Sequence, residues 1–228
     1  MRVLAFGDIH GCLGPLNALL NWVKPTSEDV LITLGDYVDR GPDSRGVVER
    51  LMQLRETHNL ICLRGNHEQM MLDAYRGGRP EKKTWLSVGG VETLASYSIL
   101  PGRSGSLEDV PPTHWQFLDA GLLNYYESDR FIFVHATVLP DYDLEDQPEY
   151  AILWEFLGDT MQHHSGKTVI CGHTSQKSGE PKVVPGAVCI DTWACGRGWL
   201  TCLDVHNARY LQADLKGNKR EGRLDYEE

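Results

Sequence analysis

Two carboxylates and one guanidinium follow a single apolar run of the sequence. Asp36, Asp39 and Arg40 lie within residues 35–41, Gly-Asp-Tyr-Val-Asp-Arg-Gly, directly after the apolar residues 30–34. Carboxylates gather divalent cations, and the arginine fork binds phosphate oxygens in pairs. An acidic turn after a strand is by itself more often a solvated loop, so this heptapeptide alone does not establish a site.

Two further polar turns hold residues of the same chemical kind. Residues 7–11 contain Asp8 and His10, and residues 64–68 read Arg-Gly-Asn-His-Glu. Residues two apart in an extended chain point the same way, so one metal could take both Asp8 and His10. Three such turns together predict a shared site for metals and phosphate.

The elements that must position these turns repeat a pattern of strand, glycine-containing turn and helix. The predicted strands are the short apolar runs Val3–Phe6, 30–34 and 60–63, as expected for buried parallel strands. Asp43 is predicted to cap the second helix. Apolar residues recur at helical spacing after the first two strands: Leu16, Leu19, Leu20 and Val23, then Val47, Val48, Leu51 and Leu54. The repetition predicts an α/β protein whose polar turns line one sheet edge.

The middle of the chain is predicted to be helical and then to enter a hairpin. Residues 68–120 are expected to be mostly helical, with Thr113 capping one helix and a loop over residues 101–112. Residues 122–126 and Phe131–Val134 are predicted to be the two strands of the hairpin.

The last third of the chain reads as strand-rich. A helix is expected around residues 149–157 and a strand at Thr168–Cys171. Four later apolar runs are predicted to form a terminal antiparallel sheet: residues 183–184, 187–190, 199–203 and 210–212. The charged residues 216–228 are expected to fray. The whole chain, 1–228, is expected to be a single catalytic domain.

Composition narrows the class of protein. A net charge of −10 and the lack of a basic cluster argue against nucleic-acid binding. No apolar run approaches the roughly 20 residues of a membrane helix, and no signal peptide precedes the first strand. We therefore expect a cytoplasmic protein without a membrane partner. None of the six cysteines forms a CxxC pair, so reduced thiols are expected rather than structural zinc.

Five motifs in this order resemble those of a known enzyme family. They are residues 7–11, 35–41 and 64–68, then His135-Ala136 and Gly172-His173. The chain resembles a metallophosphoesterase of the PPP phosphatase family, most of all the small bacterial serine/threonine protein phosphatases, to which the symmetrical diadenosine tetraphosphatases are related. The resemblance implies a calcineurin-like metallophosphatase fold, an α/β sandwich of two mixed β-sheets flanked by helices.

The same resemblance implies a dinuclear metal site with two divalent ions. One ion would be held by Asp8, His10 and Asp36, and the other by Asp36, Asn66, His135 and His173. Mixed nitrogen and oxygen ligands suit Mn, with Fe or Zn as alternatives. Two metals roughly 4 Å apart would polarise the phosphate and supply a bridging hydroxide for direct attack. Arg40 and Arg64 would bind phosphate oxygens, while His67, oriented by Asp39, would protonate the leaving oxygen.

The sequence departs from the family pattern at two positions. Thr137 stands where many relatives have a glycine. Phe156, two residues after Trp154, stands where relatives carry a further phosphate-binding arginine. The third phosphate contact is therefore left without a residue.

Three functions follow as hypotheses. The first is a phosphomonoesterase of the bacterial serine/threonine protein phosphatase type, acting on a phosphorylated protein or a small phosphate ester. The second is a symmetrical dinucleoside polyphosphate hydrolase, which the negative net charge slightly disfavours. The third is a non-catalytic protein that binds metal or phosphate. The other histidines are expected to be surface or structural residues, and Asp191 to support either the site or a turn.

Overall fold

A computed structural model of the chain describes residues 1–99 and 103–226. The first half contains, in order, β1 (Val3–Phe6), α1 (Leu13–Val23), β2 (Val30–Thr33), α2 (Ser44–Thr57), β3 (Asn59–Cys62), α3 (Asn66–Arg76), α4 (Arg79–Trp85), α5 (Val91–Tyr97) and α6 (Pro112–Ala120). The second half contains β4 (Tyr125–Glu127), β5 (Phe131–Val134), α7 (Glu149–Trp154), β6 (Thr168–Cys171), β7 (Lys182–Val184), β8 (Ala187–Cys189), β9 (Leu200–Asp204), β10 (Arg209–Ala213) and β11 (Lys219–Arg223).

The strands form two mixed sheets. The first has the order β11-β10-β9-β1-β2-β3, and the second has the order β4-β5-β6-β8-β7. In the first sheet β1, β2 and β3 run parallel to one another, and in the second β5, β6 and β8 do so. This arrangement confirms the predicted sandwich of two mixed sheets with flanking helices.

Alternation along the central strands explains how the layers stack. Leu4 and Phe6 of β1 pack with the helices α1 and α2, whereas Val3 and Ala5 face the second sheet. Both faces of β1 are therefore buried, as its unbroken apolar run predicted. The outer face of the second sheet is covered in turn by α7. The helix capped by Asp43 is confirmed, since its carboxylate accepts from the N–H of Gly46 at 2.8 Å.

The predicted terminal antiparallel sheet is wrong, although its four strands exist. β8 pairs in parallel with β6, and β7 pairs with β8, so both belong to the second sheet. β9 and β10 instead extend the first sheet from β1. Apolar runs predict that a strand is buried but do not say beside which partner, because every fully buried strand needs a neighbour on both edges.

The prediction that the charged tail frays is also wrong for the described residues. Lys219–Arg223 forms β11, paired antiparallel with β10. The guanidinium of Arg220 anchors it, donating to Gln212 and to the carbonyl of Gly179, both at 2.6 Å. Alternate charged side chains of an edge strand face solvent, so a charged sequence is compatible with pairing.

Two local predictions in the middle of the chain need comment. Thr113 does not cap a helix, since α6 begins at Pro112 and Pro111 precedes it. Proline suits this first position because its missing N–H has no partner there. The predicted loop over residues 101–112 lies partly outside the described residues, and its described part includes a short 3₁₀ turn, Leu107–Asp109. No helix in the described parts of the chain is long and apolar enough to span a bilayer.

Candidate active site

The backbone of the polar turns adopts conformations that side chains rarely allow. Positive φ angles occur at His10 (43°), Asp36 (52°), Asp39 (72°), Arg40 (67°) and His173 (59°). Each such residue costs on the order of 1–3 kcal/mol and persists only where the surrounding structure enforces it. Strain of this kind therefore gathers at the residues that the sequence singled out. His10 consequently does not continue an extended stretch from Asp8, contrary to the prediction.

Asp36 lies at the centre of the clustered side chains. Its Oδ2 is 3.3 Å from Nε2 of His10, and its Oδ1 is 3.5 Å from Nε2 of His135. Two groups of buried ligand atoms share this carboxylate: His10, Asp36 and His67 in one, and Asp8, Asp36 and His135 in the other. The structure thus brings Asp8, His10 and His135 together around Asp36, with Asp8 in the group of His135 and His10 in the group of His67.

Backbone carbonyls orient three of the histidine rings. A carbonyl oxygen can only accept, so the ring nitrogen beside it donates and the other nitrogen keeps its lone pair. The pairs are His10 Nδ1 with Val38 O at 2.9 Å, His135 Nδ1 with Leu34 O at 2.8 Å, and His173 Nε2 with Trp154 O at 3.1 Å. Metal-binding histidines are held in this way by an outer partner.

Asn66 completes the arrangement on the side of His135. Its Oδ1 lies 3.1 Å from Nε2 of His135. Because Nδ1 of that ring already donates to a carbonyl, the two facing atoms both present lone pairs. A cation between them would satisfy both.

The buried carboxylates and imidazoles of the centre favour the binding of cations. Burial, with the Asp191 and Asp36 carboxylates nearby, raises the pKa of Asp8 well above its ordinary value. Burial lowers the pKa of His10 to about 3 and that of His173 to about 4. His10 and His173 are therefore neutral at physiological pH, which is the form that binds metal. Crowded buried carboxylates are costly unless they are paired or coordinate metal, and the donor set fits two divalent ions.

His67 and Asp39 form a buried pair beside the centre. Nδ1 of His67 lies 2.6 Å from Oδ2 of Asp39, and both side chains are almost fully buried. Asp39 also accepts from Trp85 Nε1, at 2.9 and 3.0 Å, and from Thr93 Oγ1 at 2.7 Å. Burial lowers the pKa of His67, but the carboxylates of Asp36 and Asp39 outweigh it and leave that pKa raised. The imidazole is thus held rigidly, with Nε2 4.0 Å from Asp36.

The two predicted phosphate-binding arginines are placed differently. Nη1 of Arg40 lies 2.8 Å from Nε2 of His10, so this exposed guanidinium stands at the mouth of the centre. Arg64 turns instead toward α3 and α6, donating to Gln69 Oε1 at 2.9 Å and to the carbonyl of Asp119. The Nε of Arg64 is buried without a hydrogen-bond partner.

Sequence reasoning assigned no role to Glu68, which holds the central turn. Its carboxylate accepts from the N–H groups of Asp36 (2.8 Å), Tyr37 (2.7 Å), Val38 (3.2 Å) and Gly65 (3.0 Å). It therefore ties the turn after β2 to the start of α3. The available signal was its position next to His67 at the first turn of a predicted helix.

Asp191 is a second residue whose placement is informative. It is buried, accepts from Ser175 Oγ at 2.5 Å and from Trp193 N at 3.0 Å, and raises the pKa of neighbouring Asp8. Both predicted alternatives for Asp191 hold at once, because it braces a turn and adds negative charge to the site.

Phe156 covers one predicted metal ligand. Its ring is stacked on that of His173, with centroids 4.9 Å apart and an interplanar angle of 21°. The residue is 69% exposed. The departure from the family pattern thus places an aromatic face, not a charge, beside the centre.

A family model described as calcineurin-like phosphoesterase matches residues 1–184. Among curated proteins, the chain is 35% identical over 153 residues to a symmetrical bis(5'-nucleosyl)-tetraphosphatase of Pseudomonas syringae pv. syringae, covering 66% of this chain and 47% of that protein. It is 43% identical over 90 residues to serine/threonine-protein phosphatase 1 of Salmonella typhimurium, covering 39% of each. The chain thus spans about half the length, or less, of these relatives.

Solved structures share the fold. A crystal structure of a putative diadenosine tetraphosphatase superposes with a TM-score of 0.61 at 21% identity, covering 97% of this chain and 93% of that one. A serine/threonine phosphatase of Saccharomyces cerevisiae superposes with a TM-score of 0.62 at 14% identity, covering 100% of this chain and 81% of that one. At these identities the likeness concerns the architecture alone.

Proposed function

This chain belongs to the calcineurin-like phosphoesterase family, and from that premise we propose that it is a metal-dependent hydrolase that cleaves dinucleoside polyphosphates symmetrically. The observation that supports phosphoester or phosphoanhydride hydrolysis is the shared carboxylate of Asp36, which links two buried ligand groups. The substrate class is supported by relatives named for this activity, which match about two thirds of the chain.

The proposed ligands are the residues that surround Asp36. One ion is assigned to Asp8, His10 and Asp36, and the other to Asp36, Asn66, His135 and His173. When bound, two such metals, here proposed to be Mn, supply a hydroxide nucleophile at neutral pH and polarise the phosphoryl oxygens. The chain's own contribution is to hold the neutral imidazoles and the shared carboxylate in one fixed arrangement.

His67 is proposed to act as the general acid that donates a proton to the oxygen of the leaving group. Asp39 fixes the ring through Nδ1, which leaves Nε2 directed at the centre, where the leaving group departs. A positioned general acid contributes roughly 10²–10⁴-fold to the rate. Arg40, at the mouth of the centre, is proposed to bind phosphate oxygens that become more negative as the bond breaks. Arg64 reaches the phosphate in this proposal only if it releases Gln69.

A second candidate function is that of a serine/threonine protein phosphatase. The specific observation in its favour is the intact pair of His67 and Asp39. A serine alkoxide is a poor leaving group and needs a proton, whereas a nucleoside diphosphate, the leaving group of symmetrical cleavage, departs more readily. The same pair argues against a merely metal-binding protein, because binding alone requires no proton donor.

A substrate panel on the manganese-loaded chain separates these functions. It compares kcat/KM for diadenosine tetraphosphate, for phosphoserine and phosphothreonine peptides, for a phosphotyrosine peptide and for nitrophenyl phosphate. We expect the dinucleoside to have the highest value. A preference for the phosphopeptides would replace the proposal with the second candidate, and no turnover of any ester would favour the metal-binding protein.

A further inference from the structure

A groove opens on the side of the centre that the second sheet contributes. It has a volume of about 530 Å³ and is lined by mainly apolar residues, among them Val138, Leu139, Tyr150, Phe156 and Met161. Cavities of this size accept small organic ligands. Phe156 links the groove to the centre, because its ring stacks on that of His173.

Phe156 offers a free aromatic face to this groove. His173 covers one side of its ring, while the residue as a whole remains 69% exposed. Tyr150, also in the groove, is 54% exposed. Two exposed aromatic side chains in one apolar groove beside the centre provide a surface on which a flat ligand can stack.

The lining of the groove disfavours a phosphate as its occupant, although the ammonium of Lys182 lies 3.4 Å from the carbonyl oxygen of the lining residue Gly158. Its lining residues, all of them in the described part of the chain, include the carboxylate of Glu155 but neither lysine nor arginine. The cationic group beside the centre is Arg40, which lies against His10 on the first-sheet side. Neutral polar groups are present at Thr160 and Gln162. The groove therefore suits a flat, uncharged group with hydrogen-bonding edges.

We propose that Phe156 is the stacking platform for one nucleobase of the substrate, in the place where the family resemblance implied a phosphate-binding arginine. This inference rests on the proposed function and names the part of the substrate that the groove recognises. The base lies on the outer face of the Phe156 ring, in a groove that Gln162 also lines.

The spacing of the rings favours a nucleotide over an aromatic ester. The centroids of His135 and His173 are 5.1 Å apart, and those of His173 and Phe156 a further 4.9 Å. A group on the outer face lies one stacking distance beyond. A base linked through ribose and two phosphates spans such a gap, whereas the ring of a phosphotyrosine is joined directly to the reacting phosphate and stays beside the metals.

The test compares two product-like ligands that share their phosphates. Calorimetry gives the affinity of the manganese-loaded full chain for ADP and for pyrophosphate, so the ratio of the two dissociation constants isolates the nucleoside. Stacking on one aromatic side chain is usually worth about tenfold or more in affinity. We therefore expect Phe156→Leu to weaken the affinity for ADP about tenfold relative to the affinity for pyrophosphate. Phe156→Trp keeps an aromatic ring and should leave the ratio of the two dissociation constants unchanged or shift it further in favour of ADP.

Controls separate stacking from other roles of the ring. Tyr75→Ala removes another half-exposed aromatic residue, one that stacks on Trp115 instead, and should leave the ratio unchanged. An unchanged ratio in Phe156→Leu would overturn the inference. So would a loss of bound manganese in that variant, because the ring would then act by holding His173.

The outcome also distinguishes this inference from the proposed function. Turnover of diadenosine tetraphosphate by the unaltered chain, with a ratio insensitive to Phe156, would overturn the stacking role alone. The opposite outcome is also informative. If diadenosine tetraphosphate is not turned over but the affinity for ADP relative to pyrophosphate still depends on an aromatic residue at position 156, the proposed substrate is wrong and the stacking role of Phe156 is supported.

Discussion

The two sheets contribute to the centre in different ways. On the first-sheet side, Asp39 is fully buried and accepts hydrogen bonds from three side chains, and Glu68 accepts hydrogen bonds from four backbone N–H groups. On the second-sheet side, His173 is half-buried, and the residues next to it, Trp154 and Phe156, are exposed.

The difference indicates a division of labour. Groups that must meet a reacting phosphorus atom at a fixed distance need a rigid, satisfied network. Groups that choose among substrates need an open surface, since they contact the variable part of the ligand. We infer that the buried groups around Asp36, most of them on the first-sheet side, perform the chemistry, and that the exposed surface around Phe156 on the second-sheet side selects the substrate. The predictions below test that division, beginning with the first-sheet side.

Asp36→Asn should have the largest effect, because both ligand groups share this carboxylate. We expect the variant to retain almost no metal after dialysis and to lose measurable activity. Asp8→Asn is the matched control and should weaken mainly one site, leaving about one ion per chain. Metal content is measured by elemental analysis. Full occupancy in the Asp36 variant would show that the carboxylate is not shared.

His67→Asn should act on the chemical step and depend on the leaving group. Turnover of an alkyl phosphate should fall by roughly 10²–10⁴, the usual contribution of a general acid. Turnover of nitrophenyl phosphate should fall much less, because nitrophenolate leaves without a proton. Metal content should not change. Equal losses on both substrates would mean that His67 acts through binding or metal retention instead.

Asp39→Asn should show the same asymmetry in milder form. The substitution keeps the shape of the side chain but removes the charge that holds the His67 ring. We expect turnover of the alkyl phosphate to fall roughly 10- to 100-fold, as for other partners that orient a functional histidine. Trp85→Phe, which deletes only one donor to Asp39, should cost less than Asp39→Asn. A larger loss in Trp85→Phe than in Asp39→Asn would mean that packing around His67, and not the charge of Asp39, sustains turnover.

Phe156→Arg should have the smallest effect, and for a simple substrate it should improve binding, whereas the other substitutions reduce activity. An arginine here supplies the charge that the family resemblance implied at this position, so KM for nitrophenyl phosphate should fall about tenfold. Affinity for ADP relative to pyrophosphate should fall in the same variant. If KM does not change, the side chain at this position does not reach the phosphate.

The contrast between the sheets also explains what could be predicted from the sequence. The turns after β1, β2 and β3 were located correctly because each follows directly on a strand, and parallel strands place such turns at one edge. Their clustering around Asp36 follows from local sequence and one topological rule. Glu68 was missed because a carboxylate that accepts backbone hydrogen bonds looks like any other glutamate in a sequence, and its position next to His67 was the only signal of its role.

The second-sheet side was harder to predict because it depends on long-range pairing. β8 joins β6 and β9 joins β1, and neither partner is visible in the apolar pattern of the strands. The stacking of Phe156 on His173 likewise depends on how the chain after α7 meets the turn after β6. The sequence motifs identified His135 and His173, but only the fold showed which residues surround them.

The most direct test of the account is the set of products formed from diadenosine tetraphosphate. In the proposed binding mode, one base lies on Phe156 and the second phosphate from its ribose lies at the metal ligands, so two phosphates remain on each side of the cleaved bond. Chromatography of the reaction of the manganese-loaded chain should therefore show ADP as the sole nucleotide product, at two molecules for each substrate consumed. Formation of AMP with ATP, or recovery of the intact substrate from an enzyme that hydrolyses phosphopeptides, would contradict the account.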